Sequence, residues 1–225
     1  GDVFQGGPTP TWHRFDPLNG AATQPLGQMA GQRARTYGNA VTYDVGKVIL
    51  VGGADRRENP STTTANVYLV DLNGPTPVVT QGPAMNHARA LSNTVTLPNG
   101  EVLVVGGNTS GKIFSDEGTV YAAEIYNPIS NSWSLAASMD IPRNYHSTAL
   151  LLKDGRVLSA GGGACGGCAA NHLDGQIYSP PYLFDTAGNA AVRPTLSGVP
   201  AQLSAGQQIT VTASADAASF SMVRL

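Results

Sequence analysis

The sequence predicts an all-β chain: a partial kelch-type β-propeller of about four blades, followed by the first strands of an immunoglobulin-like sandwich. Three observations predict it. Segments RTYGNAV from Arg35, RALSNTV from Arg89 and RNYHSTA from Arg143 superpose as a repeat. Gly pairs beginning at Gly52, Gly106 and Gly161 recur at spacings of 54 and 55, close to the roughly 50 residues of a kelch blade. No segment carries a helical hydrophobic period long enough to compete.

Each repeat divides into strands in the same order. The Arg opens a first strand that ends at a hairpin turn, marked by Gly46, by Pro98-Asn99-Gly100 and by Lys153-Asp154-Gly155, because Gly supplies the positive φ such turns require. From Arg to turn Gly the distance is 11, 11 and then 12 positions. A second, apolar strand follows in GKVILVGG, GEVLVVGG and GRVLSAGG, and a third contains Val67-Tyr68, Ile125-Tyr126 and Ile177-Tyr178. A fourth is expected around Trp133. One four-stranded sheet cannot bury both of its faces, so such units stack around an axis.

The two ends depart from the repeat. GDVFQGG matches the second strand of a blade without a first strand before it, so the chain is expected to start inside a blade. Residues 1–190 are assigned to the propeller and residues 191–225 to a truncated sandwich, on the alternation of Gln207–Ala213 and a further strand over Phe220–Leu225. A sandwich takes about 100 residues, and only 33 run from Arg193 to Leu225. The chain therefore reads as an internal piece of a longer protein.

Composition narrows the partners. With 225 residues and 23.2 kDa the chain is large enough to bury a core, and its 12% charged residues with 27 Gly and 15 Pro suit a turn-rich globular protein. A net charge of −2, a pI near 6.1 and no run of Lys or Arg leave no footprint for nucleic acid or an anionic membrane. No apolar stretch approaches the roughly 20 residues that span a bilayer. The first residues show no signal-peptide pattern.

Chemistry is sought first at Tyr145-His146. Aligned on the repeat Arg, the same two positions hold Tyr37-Gly38 and Leu91-Ser92, so blade geometry does not itself demand an imidazole. Two readings stand: a metal or catalytic pair, or a packed ring beside a hydrogen-bonded His. Neighbours in a regular strand point to opposite faces, so the two side chains reach one metal only if the chain turns there, and Pro142-Arg143-Asn144 supplies an irregular approach. Imidazole with phenolate suits Cu(II), which stabilises the anion of a phenol whose ordinary pKa is about 10.

Cys165-Gly-Gly-Cys168 is open to three readings: a local disulfide, half of a zinc site with His172, or a redox motif. Zinc takes about four ligands and no second Cys pair exists, while a thioredoxin-like motif needs a βαβ context that is missing. His172 otherwise reads as structural or as a support behind a site, His13 and His87 as surface residues, and Asp55-Arg56-Arg57-Glu58 as a solvated loop cluster, with the rim of a pocket as its alternative. No G-x-S-x-G, Walker or Rossmann pattern occurs.

From Arg143 the run RNYHSTALLLKDGRVLSAGGGACGGCAANHLDGQIYSPPYLF resembles the last propeller blade of the copper radical oxidases, the group of galactose oxidase and glyoxal oxidase. The resemblance extends back through Gly107–Tyr126 and Gly38–Val41 to Val3-Phe4-Gln5, and the family follows a seven-bladed kelch propeller with a small sandwich. It implies that Tyr145 is the axial copper-binding tyrosine and general base, that His146 is one of two histidine ligands, and that Phe114 lines the substrate pocket. It also implies a Cys165–Cys168 disulfide and hence an oxidising, extracellular setting. In the family, Cu(II) and a cross-linked Tyr-Cys radical each take one electron as a primary alcohol or hydrated aldehyde is oxidised, and O2 becomes H2O2. Substrates would be small alcohols, aldehydes or carbohydrates. The Tyr-Cys cofactor belongs to earlier blades and the second histidine to the sandwich past Leu225, so residues 1–225 alone are expected to be inactive and to bind copper weakly. The rival reading is a non-catalytic kelch propeller that binds a glycan or protein, in which Tyr145 and His146 only pack.

Overall fold

A computed structural model describes residues 3–18, 24–29, 31, 34–57, 61–204 and 206–214. Contacts divide the chain into two compact units, Gly1–Ser179 and Pro180–Leu225. The first is a run of four antiparallel sheets, each a meander in sequence order. Strands β1 (Val3–Gln5), β2 (Thr11–Phe15) and β3 (Gln24–Gln28) make the first, and β4 (Asn39–Asp44), β5 (Lys47–Val51), β6 (Val67–Asp71) and β7 (Val78–Gln81) the second. The third contains β8 (Ala90–Thr96), β9 (Val102–Asn108), β10 (Ala122–Asn127) and β11 (Ser132–Ser138), and the fourth β12 (Ser147–Leu151), β13 (Val157–Gly161) and β14 (Gly175–Tyr178).

This is a four-blade portion of a β-propeller. The first sheet opens on β1, the match of β5, and Trp133 lies on the fourth strand β11 as the repeat predicts. Not every unit has four strands: the first and last sheets have three among the described residues. Among the described residues the second unit holds one 3-10 turn, Pro181–Leu183, and a two-stranded sheet of β15 (Leu196–Ser197) with β16 (Thr212–Ala213). The strand expected over Gln207–Ala213 thus shrinks to its last two residues, since β15 offers only two residues for it to pair with. The strand expected over Phe220–Leu225 lies outside the described residues.

Burial explains the composition of each strand. In β5, Ile49 and Val51 pack with Val67, Met85, Val102, Val104 and Tyr126, filling the space between the second and third sheets. Leu50 points the opposite way, onto Trp12, Met29, Tyr68 and Val70. A strand with both faces covered needs apolar residues along its covered stretch, which is why Val48–Val51 of β5 and Val102–Val105 of β9 lack the usual alternation. All seven residues of β9 are buried.

The first strands of the blades are more polar because side chains tie them to one another. Asn39 Nδ2 donates to Ser92 O at 2.8 Å, Thr94 Oγ1 to Asn39 Oδ1 at 3.1 Å, Thr96 Oγ1 to Thr42 O at 2.8 Å, and Asn93 Nδ2 to Ser147 Oγ at 2.8 Å. These bonds set β4 beside β8 and β8 beside β12.

The repeat Arg is a buried clip. Arg35, Arg89 and Arg143 each donate to the carbonyl of the first Gly of their own blade's pair: Gly52 at 2.9 Å, Gly106 at 3.0 Å and Gly161 at 3.0 Å. Their backbones also join blades, since Arg89 O accepts from Gly53 N–H and Arg143 O from Gly107 N–H. Charge compensation differs. Arg89 pairs at 2.7 Å with Glu124, both side chains fully buried, and Arg143 pairs at 3.0 Å with the half-exposed Asp174. Arg35 lies 5.4 Å over the Tyr68 ring, and burial depresses its pKa to about 10.

Candidate active site

The approach to β12 is built from the blade's common parts with one residue added. Thr36 bridges Ala54, Ala90 pairs with Asn108, and Tyr145 O accepts from Gly163 N–H at 2.8 Å. Ser92 pairs with Gly106 and Ser147 with Gly161 in the same frame. Tyr145 therefore occupies the place of Thr36 and Ala90, and His146 that of Tyr37 and Leu91. This corrects the alignment on the Arg, which sets His146 against Gly38 and Ser92. The extra residue is Asn144: its carbonyl accepts from Ser147 N–H, the bond that Arg35 O makes with Gly38 N–H. The longer 12-position spacing is this insertion.

The turn required for the pair is at His146. Its φ is +66°, as Tyr37 and Leu91 have +60° and +63°, so a left-handed residue recurs at the mouth of each of these strands. Such a φ in a non-glycine residue is uncommon and is held by its surroundings. It cancels the alternation of a regular strand. The Tyr145 and His146 rings stack with centroids 3.8 Å apart and planes 29° from parallel.

Hydrogen bonding then fixes the imidazole. His146 Nδ1 is 2.8 Å from Gly163 O; a carbonyl only accepts, so Nδ1 carries the proton and the neutral ring keeps its lone pair on Nε2. A ring anchored through one nitrogen presents the other to a metal. Gly163 thus holds both residues, through its N–H to Tyr145 and its carbonyl to His146. Its φ is +86°, and a Cβ there would run into the Ala170 carbonyl. The same loop contains the Cys165–Cys168 disulfide, and Asn171 braces it, Oδ1 accepting from Cys165 N–H at 3.1 Å and Nδ2 donating to Gly166 O. With both sulfurs in the disulfide and no free cysteine, no thiolate is left for zinc, and the local-disulfide reading stands.

Phe114 reaches the pair from the loop between β9 and β10. Its ring meets Tyr145 edge-on at 4.9 Å and His146 at 5.8 Å, and Tyr37 closes a further side of Tyr145 at 6.3 Å. Tyr145 is half-buried and His146 exposed. Asn144 Nδ2 donates to Ser115 O at 3.1 Å and to Thr119 Oγ1 at 2.9 Å, and His172 Nε2 lies 3.1 Å from the Asp116 carboxylate. The structure therefore unites Phe114, Tyr145 and His146. Asn144, Gly163 and Asp116 were not foreseen, although the 12-position spacing pointed to Asn144. Asp55 and Arg56 pair with each other at 3.0 Å in an exposed loop. Among the described residues no group of three or more His, Cys, Asp and Glu is placed to hold a metal, and no helix is long and apolar enough to cross a membrane.

Comparison with known proteins gives a consistent set of similarities. The glyoxal oxidase N-terminus family matches residues 45–171. Galactose oxidase of Gibberella zeae is 34% identical over 233 aligned positions, which cover 100% of this chain and 34% of that protein. An aldehyde oxidase of Arabidopsis thaliana is 34% identical over 138 positions, 56% of this chain and 22% of its own length. Among solved structures, a fungal alcohol oxidase of the AA5 family in complex with copper superposes with a TM-score of 0.84 at 33% identity, over 95% of this chain and 46% of that one. The chain spans about a third of the length of the galactose oxidase it matches throughout.

Proposed function

The chain belongs to the glyoxal oxidase N-terminus family, and on that premise we propose that it is part of a copper-dependent oxidase that converts a primary alcohol or hydrated aldehyde with O2, giving H2O2. The observation that carries this reading is the left-handed turn at His146, which stacks phenol and imidazole on one side of the chain while Nδ1 is committed to Gly163. The donor set fits copper: one phenol oxygen and one Nε2, of the hard-and-borderline kind that Cu(II) accepts in tetragonal sites. When bound, copper supplies an electron acceptor and a Lewis acid that favours the phenolate.

Tyr145 is the base: its oxygen takes the proton from the substrate hydroxyl, and the edge of Phe114 orients the carbon that loses hydrogen. His146 contributes one ligand and Gly163 holds its tautomer. The remaining ligand and the Tyr-Cys radical come from outside residues 1–225, so the isolated segment is inactive. The Cys165–Cys168 disulfide supports an oxidising, extracellular setting. A binding module would accommodate a hydrogen-bonded His146 equally well; what favours the oxidase is the full-length similarity to galactose oxidase and to a copper-bound alcohol oxidase.

The test is Tyr145→Phe in the full-length protein. Turnover should fall by about 10²- to 10⁴-fold, the range for a lost general base, with the circular dichroism spectrum unchanged. Activity within about threefold of the parent enzyme, well short of that range, would overturn the assignment.

A further inference from the structure

We propose that Asp116 and His172 form a clasp that holds Phe114 against Tyr145, making both positioning residues for substrate binding; the proposal rests on the reading of Phe114 as a substrate contact. Phe114 has φ +54° and is 41% exposed. Exposure means that packing alone does not impose this conformation, and a left-handed non-glycine residue persists only where its surroundings over-determine it. Inside its own loop the support is local: Asn108 brackets Gly111 and Lys112, and Lys112 Nζ meets Glu117 at 3.1 Å.

Two ties arrive from the blade that carries the Tyr-His pair. Asn144 grips Ser115 and Thr119 on the C-terminal side of Phe114. His172 Nε2 is shared between the two carboxylate oxygens of Asp116 at 3.1 and 3.2 Å, across 56 residues of sequence. A carboxylate accepts only, so Nε2 donates. The His172 backbone N–H in turn bonds Gly162 O at 3.3 Å, the residue before the Gly163 that anchors His146. One continuous set of contacts therefore links the pocket wall to the metal-facing imidazole. Both are partly buried, at 34% and 18% side-chain exposure, so their bond competes only partly with water.

The experiment uses the full-length enzyme. Asp116→Ala and His172→Ala should each raise KM on the order of tenfold, as for one lost charge-assisted hydrogen bond, with kcat within about twofold and an unchanged copper EPR spectrum. In a Phe114→Ala background the same changes should have no further effect. Asp116→Asn, which keeps a neutral acceptor for Nε2–H, should raise KM less than Asp116→Ala does. His172→Gln should give a smaller rise with the same dependence on Phe114, which keeps the cycle readable if an alanine variant folds poorly. Apart from activity, trypsin should cut copper-free Asp116→Ala protein after the exposed Lys112 faster than the parent. A KM penalty that persists without Phe114, or unaltered cleavage at Lys112, overturns the clasp. Turnover surviving Tyr145→Phe would instead sink the oxidase reading and leave the cleavage rates as they are.

Discussion

The mouths of β8 and β12 share one plan and end in different chemistry. At β8, Arg89 is followed directly by Ala90 and the left-handed Leu91, and the whole joint is sealed: Arg89 and Glu124 are fully buried, with Glu124 also accepting from Asn86 and His87 N–H groups. At β12, Arg143 makes the same clip to the Gly carbonyl, but its carboxylate partner Asp174 is 52% exposed and Asn144 stands between the Arg and the turn. The inserted residue moves an aromatic and an imidazole into the two places that hold Ala90 and Leu91. One added residue in an otherwise unchanged scaffold turns a joint of packed side chains into one that presents a stacked phenol and imidazole.

The largest effect separates the two ion pairs. Glu124→Ala leaves a buried guanidinium without its counter-charge and should destabilise the full-length protein by about 3 to 5 kcal/mol, read from denaturant unfolding. Asp174→Ala also uncovers a buried guanidinium, but the carboxylate it removes is 52% exposed and already solvated, so the cost should be smaller, about 1 to 2 kcal/mol. Equal losses would remove the distinction between a sealed joint and an open one. Burial already depresses the Arg89 pKa, with Glu124 opposing that shift, so the loss of Glu124 takes away the group that offsets desolvation.

Deleting Asn144 tests the insertion itself. The spacing from Arg143 to Gly155 would return to that of the other blades, and His146 would be drawn out of the turn while the Arg clip re-forms. Turnover in the full-length protein should drop about 100-fold or more, because ångström-scale misplacement of reacting groups costs that much. The melting temperature should fall far less than for Glu124→Ala. A deletion variant with near-parental activity would show that the stacked geometry does not depend on the added residue.

These contrasts also show what was legible beforehand. The strands were readable because a doubly covered strand is apolar through its centre, as in Val48–Val51 and Val102–Val105, and because Gly46, Gly100 and Gly155 mark turns that need positive φ. The Tyr-His pair was readable as a candidate, and so was the need for a turn. The exact frame was not, since alignment on the Arg assumes equal backbone paths, whereas Arg143 reaches its glycine carbonyl from one residue further away. Asp116–His172 was hidden for a different reason. It joins loops 56 residues apart, and nothing in local composition encodes which loops meet. At the far end, alternation over Gln207–Ala213 suggested a full strand, but alternation specifies a face and not a partner, and β15 offers only two residues.

The smallest expected effect lies in the alkaline range and compares Tyr126 of the third sheet with Tyr178, its counterpart in the fourth. Burial pushes the Tyr126 phenol up to about 12, with Tyr43 adding to the shift; Tyr178 is raised by burial and then by Glu101. A phenol whose folded pKa exceeds its unfolded value keeps its proton in the folded state where the unfolded chain has lost it. Its stabilisation is complete below about pH 10 and is lost as pH rises through about 12. Arg35, depressed to about 10, acts with the opposite sign between pH 10 and its unfolded value, so variants must be compared with the parent at each pH. Tyr126 OH also donates to Asn131 Oδ1 at 2.8 Å, so Tyr126→Phe should cost about 1 kcal/mol at neutral pH and that deficit should shrink between pH 10 and 12. Tyr178→Phe should flatten the alkaline slope less, because Tyr178 is only half-buried whereas Tyr126 is 1% exposed. The reverse ranking in pH-dependent unfolding would mean that the blade with the site seals its third strand as tightly as its neighbour does, and that openness there is confined to Asp174 and the Tyr-His mouth.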